Sequence, residues 1–142
     1  MKIVNKKAYY NFSVDKSYDA GIMLLGSEVK SLRNKDVDFS DSYVISKNGE
    51  LFLIGMRIAP YKNASFHHEE VRDRKLLLNK FEIERILKVM DDKGFTIIPL
   101  EIFTMNGKFK LKIGICKGKK QYDKRESIKK RDIERDIQRN IR

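Results

Sequence analysis

The chain has 142 residues, with 31 lysines and arginines, 20 aspartates and glutamates, one cysteine and no tryptophan. That length suits one domain, which buries roughly two-thirds of its unfolded surface and needs no disulfide or metal staple. A single cysteine excludes an internal bridge and points to a reducing cytoplasm, no apolar core of a secretory signal follows Met1, and residues 51–56, the longest apolar stretch, are too short to span a bilayer.

Residues 9–25 are rich in aromatic and β-branched side chains and predict one long bent strand, or two short ones broken near Asp15. Gly26 to Arg33 follow as a two-turn helix with Ser27 as its cap. Residues 42–46 and 51–58 flank Asn48-Gly49, the strongest short-range hairpin signal, and the second arm is apolar enough for a central strand. Residues 61–71 are polar, lack a period and read as a loop, and residues 74–78 as a short helical turn or two.

Asn79 and Glu82 form a capping-box pair before Phe81, Ile83, Ile86, Leu87 and Met90 at helical spacing, with Gly94 ending the element. A second hairpin joins residues 95–104 to 108–117 through Asn106-Gly107. In its return arm Phe109, Leu111, Ile113 and Ile115 alternate with lysines, Gly114 and Cys116, so the apolar row faces the core. Pro99 lacks an N–H and argues for an edge or a bulge in the outgoing arm. The fold expected is mainly β with inserted helices, a small closed antiparallel barrel of oligonucleotide-binding type spanning residues 1–117.

Charge is uneven along this chain. Residues 106–142 carry 14 basic against 5 acidic side chains, and residues 1–105 carry 17 against 15. A nearly neutral body with a basic end suggests a polyanion, and nucleic acid leads because lysine and arginine neutralise phosphates and release their counterions. An anionic membrane surface is weaker, since the end has a sparse apolar stripe and no aromatic anchor. Residues 118–142 have four isoleucines as their only strong apolar side chains and form a basic tail, mobile alone. Ile133, Ile137 and Ile141 stand at i, i+4, i+8, a stripe that becomes an amphipathic helix once a partner covers it.

Catalytic patterns are missing: no glycine-rich phosphate loop, no nucleophile elbow and no cysteine pair for zinc. His67-His68-Glu69-Glu70 reads as solvated residues or anion contacts rather than a chelate, and Cys116 as an inert small residue. Asp36, Asp38 and Asp41 are surface carboxylates of a turn region in preference to the magnesium site of a nuclease. No enzyme, no cofactor and no metal is expected.

Four ordered strings carry a resemblance that covers essentially the whole chain. GSEVKSLR at 26–33, DSY at 41–43, RDRKLLLN at 72–79 and KGKKQYDKR at 117–125 closely resemble the SsrA-binding protein (small protein B) family. The resemblance implies an oligonucleotide-binding-type barrel with inserted helices and a role in trans-translation, the bacterial rescue of ribosomes stalled on messages lacking a stop codon. Such proteins bind the tRNA-like domain of transfer-messenger RNA and escort it into the vacant ribosomal A site.

Glu28, Leu77 and Asn79 match family positions associated with that RNA. Lys30, Arg33, Arg72, Arg74 and Lys75 lie in the same motifs and are the expected phosphate contacts. For Leu77 core packing, and for Asn79 a helix cap, are the structural alternatives. Glu28 serves as an acceptor from base or sugar donors, as an orienter of nearby cations, or as a first-turn carboxylate favouring the helix dipole. In the tail, Gly118, Lys119, Lys120, Asp123, Lys124 and Arg125 match motifs for engaging the ribosome, and Ile133, Ile137 and Ile141 would face the message channel. The partners implied are transfer-messenger RNA and the small-subunit rRNA of a stalled ribosome, with a monomeric, cytoplasmic protein. A ribosome-associated structural protein bound constitutively to rRNA is the alternative.

Overall fold

The structure is a computed structural model and describes residues 1–62, 68–92 and 94–119. In chain order it runs β1 (Lys2–Val4), α1 (Lys6–Asn11), β2 (Phe12–Ile22), α2 (Gly26–Arg33), β3 (Val37–Asp38), β4 (Tyr43–Lys47), β5 (Glu50–Ile54), β6 (Arg57–Ile58), β7 (Arg74–Leu77), α3 (Lys80–Met90), β8 (Thr96–Met105) and β9 (Lys108–Gly118). Seven strands form one antiparallel sheet in the order β1-β8-β9-β2-β7-β5-β4, and β3 pairs separately with β6. The sheet curls until its edge strand β4 lies beside β8, the neighbour of the other edge. Among the described residues no ladder joins the two edges, so the barrel is curled and not fully hydrogen-bonded shut.

Both Asn-Gly pairs make the expected turns. Asn48 and Gly49 have φ of 51° and 77°, Asn106 and Gly107 have 53° and 77°, the paired positive values of a type I′ turn whose twist suits a hairpin. The inward row Leu111, Ile113 and Ile115 meets Tyr18, Ala20, Leu51, Leu53, Leu76 and Ile102 in one core, with Leu32 of α2 and Ile86 of α3 closing over it.

Two bulges decide what the other face does. Register shifts between Pro99 and Glu101 in β8, and between Val14 and Lys16 in β2. Each extra residue reverses the in–out phase of its strand. Ile97 and Ile102 therefore both reach the main core, while Ile98 and Leu100 turn outward onto Cys116 and Ala8 of α1. This second small cluster buries Cys116, and burial pushes its thiol up to about 11, an inert group.

Three expectations change. Residues 9–11 belong to helix α1, begun by Asn5, whose side chain accepts the Ala8 N–H and donates to the Pro99 carbonyl. The cap of α2 is Leu25 and not Ser27, whose hydroxyl bonds instead to His68. Residues 74–77 form strand β7 rather than a helical turn, because β2 and β5 supply ladders on both sides and burial of Arg74 and Leu76 outweighs the helix propensity of Arg-Lys-Leu-Leu. Among the described residues no helix is long and apolar enough to cross a membrane.

Candidate nucleic-acid interface

Helix α2 points its first turn at β7 and places one carboxylate between two guanidinium groups. Glu28 stands three residues after the cap, so its Oε1 accepts the Leu25 N–H at 2.8 Å. On the other side, Arg74 occupies an inward position of β7 and donates to Glu28 Oε2 at 2.6 Å. Arg72, just before the strand, closes a fork onto both oxygens through Nε at 3.2 Å and Nη2 at 2.5 Å. Glu28 and Arg74 are wholly buried, whereas Arg72 keeps a quarter of its side chain exposed.

Two charges without solvent are tolerable only if their hydrogen-bonding capacity is filled. Arg74 fills it, donating also to the carbonyls of Met56 at 2.7 Å, Glu70 at 3.2 Å and Arg72 at 3.3 Å. Burial pushes the Glu28 carboxyl up, but Arg72, the Leu25 N–H and Arg74 more than offset it, and the group lies below the usual carboxylate range. Burial likewise lowers Arg74 from its ordinary value, opposed by Glu28.

Arg74, expected as a phosphate contact, is wholly buried and directs its donors to acceptors within the protein. Glu28, equally buried, accepts from the Leu25 N–H and the two arginines. Its product is the position of Arg72, which is further held by donating to the carbonyls of Asp73 and Met23.

Around Arg72 the other expected residues face outward. Lys75 and Leu77 alternate with the buried pair on β7. Lys75 lies 3.1 Å from Glu50 and cross-strand from Phe52. Leu77 is 51% exposed and rests against Gly21, where an added Cβ would come within 3.1 Å of Leu77 Cβ. Core packing is thus not its role. Asn79 does cap α3, accepting the Glu82 N–H at 2.9 Å while Glu82 accepts the Asn79 N–H at 3.3 Å. Lys30 and Arg33 are exposed on α2, with the Lys30 ammonium 5.5 Å from the Tyr61 ring.

His68 is buried, not solvated: one ring nitrogen bonds Ser27 Oγ at 2.8 Å and the other the Ile58 carbonyl at 3.0 Å, tying the loop after β6 to α2. His67 lies outside the described residues. Among the described residues no three His, Cys, Asp or Glu side chains converge for a metal. Gly118 is the last residue of β9, and Lys119 donates its N–H to the Asn11 carbonyl at 2.9 Å and its ammonium to that of Tyr9 at 2.8 Å. Lys120, Asp123, Lys124, Arg125, Ile133, Ile137 and Ile141 lie outside the described residues.

Reading the sequence missed the ionic triad and the exposed apolar side chains Met23, Leu25, Val71 and Phe81. The signal for the triad was slight: Arg74 shares a period of two with Leu76, as an inward side chain would.

A model of the family described as SmpB protein matches residues 2–142. The SsrA-binding protein of Acetivibrio thermocellus is 47% identical over 139 residues, 97% of this chain and 90% of that protein. That of Persephonella marina is 49% identical over 134 residues, 94% of this chain and 88% of its own length. A solved structure described as "tmRNA-SmpB: a journey to the center of the bacterial ribosome" contains a chain 39% identical, superposing with a TM-score of 0.71 over 89% of this chain and 94% of that one. With the family model spanning the described fold and continuing to residue 142, this chain belongs to the SmpB protein family.

Proposed function

We propose that this chain is a non-catalytic, cytoplasmic RNA-binding adaptor of trans-translation. Its body, residues 1–117, binds the tRNA-like domain of transfer-messenger RNA, and residues 118–142 engage the stalled ribosome, becoming helical there. The observation that carries the reading is the buried carboxylate that fixes Arg72 just before β7, a strand whose Lys75 and Leu77 turn away from the buried Arg74 and Leu76. A guanidinium held in one orientation reads a phosphate or base edge with little ordering cost. Supporting it are relatives that carry the name SsrA-binding protein and a structural neighbour described with tmRNA at the ribosome. In this role Arg72, Lys75, Lys30 and Arg33 contact phosphates, Leu77 packs on sugar or base, and Glu28 and Arg74 act as positioning residues. Lys119 and the basic side chains beyond it meet rRNA.

Equilibrium binding tests this at near-physiological salt, using transfer-messenger RNA, its isolated tRNA-like domain and an ordinary tRNA. Preference for the first two is expected, because a folded RNA offers shape and splayed bases besides phosphate. Affinity should fall steeply with salt, with a log–log slope of about −0.7 to −0.9 per phosphate contacted. Leu77→Ala, an exposed change that leaves the core intact, should weaken binding to both transfer-messenger forms. Equal binding to all three RNAs, unchanged by the variant, would leave a ribosome-associated rRNA binder instead.

A further inference from the structure

Phe81 is the second residue of α3 and, at 75%, the most exposed large apolar side chain among the described residues. The helix does not use it for docking: Ile83, Ile86, Leu87 and Met90 turn toward the core. Phe81 instead heads the outward stripe, followed by Glu84, Arg85 and Lys88 at helical spacing, all exposed.

A lone exposed apolar residue needs no explanation. Phe81 is not alone. Among the described residues ten large apolar side chains are exposed, and five of them (Met23, Leu25, Val71, Leu77 and Phe81) come from residues 23–25 and 71–81. Those two segments are bonded to each other, Met23 N–H to the Lys75 carbonyl at 3.0 Å and Arg72 to the Met23 carbonyl, and they carry the Glu28 platform. The apolar concentration therefore falls on the two segments that also hold Arg72, Lys75 and Asn79, and Phe81 stands two residues beyond Asn79 at the start of α3.

We propose that Phe81 is a stacking platform for an unpaired base of the RNA bound at this face. The inference rests on the RNA-binding reading above and adds a contact that reading does not supply. An aromatic ring offers a flat surface matching the face of any splayed base, and Lys80 and Arg85, adjacent in sequence and one helical turn on, are within reach of that nucleotide's phosphate. A protein partner would be served equally by any bulky aliphatic side chain, which makes aromaticity the property to test.

The chain contains no tryptophan, so Phe81→Trp creates a single fluorescent reporter at the site. With the isolated tRNA-like domain, Phe81→Ala and Phe81→Leu should each bind roughly 5- to 140-fold more weakly, the range for losing one base–aromatic stack. Phe81→Trp should bind like the parent and lose emission as RNA saturates it. Binding by Phe81→Leu as tight as the parent's would overturn the proposal, as would unchanged tryptophan emission when a mobility shift shows the RNA bound. Circular dichroism checks that each variant is folded, as an exposed position leads one to expect. If the parent binds all RNAs without preference, the adaptor reading falls while quenching still decides stacking. If it binds none, both fall.

Discussion

Glu28 shows how a single side chain is committed by its surroundings. Removing it would leave Arg74 buried and uncompensated, and breaking a buried pair from one side costs about 3–5 kcal/mol. Glu28→Ala should therefore shift the urea midpoint strongly at pH 7 besides weakening RNA binding, and the two effects separate only if affinity is measured well below that midpoint. Acid should act through the same group. Its folded value lies below the ordinary 4.5, so the stability it contributes is present above the unfolded value and lost as pH falls through the folded one. Parent stability should drop on moving from pH 6 towards pH 3, more steeply than for Glu28→Gln, a comparison denaturant titration makes directly. A surface pair such as Lys47–Asp73, more than half and about half exposed, should show no such penalty when cut.

Elements differ in how openly they announce themselves. The two hairpins were readable because Asn-Gly serves a backbone requirement that few other pairs satisfy, and α3 because its cap and apolar spacing agree. Strand β7 was not readable, since Arg74 to Leu77 prefer helix locally and only neighbouring ladders make them extended. Helix α1 is six residues long, too short for a period to show. The candidate site divides likewise. Its motif positions were found by resemblance, but which of them are buried depended on the side of β7 each occupies. Another element-level constraint sits at the end of β5, where Gly55 has φ +81° and an added Cβ would meet the Asp41 carbonyl oxygen at 2.3 Å. Gly55→Ala should cost more than about 2 kcal/mol, strain and backbone clash together. Gly49→Ala, with φ +77° but open space around it, should cost about 1 kcal/mol. Thermal or urea unfolding of the two variants side by side distinguishes the contributions.

At the scale of the whole molecule the charge partition organises behaviour. The first 105 residues carry 17 basic against 15 acidic side chains, while residues 106–142, β9 included, carry 14 against 5. Deleting residues 120–142 should leave the unfolding midpoint almost unchanged and spare binding to transfer-messenger RNA, yet abolish tagging on stalled ribosomes in a reconstituted translation assay. Loss of RNA binding on deletion would mean that body and tail do not divide the work in this way.

The place of β9 in the sheet bears on how the molecule comes into being. This last strand of the described fold lies in the middle, hydrogen-bonded to β8 on one side and β2 on the other. Before it is made, the nascent chain holds two sets of strands that no ladder joins, β1 with β8 and β2 with β7, β5 and β4, each with a bare edge. Cooperative folding must then wait for the second arm of the final hairpin, whose Leu111, Ile113 and Ile115 join both sets at once. The Asn106-Gly107 turn thus brings the joining strand alongside β8 through the shortest possible loop, and a slow or misregistered turn there would expose nearly every other strand to the wrong partner.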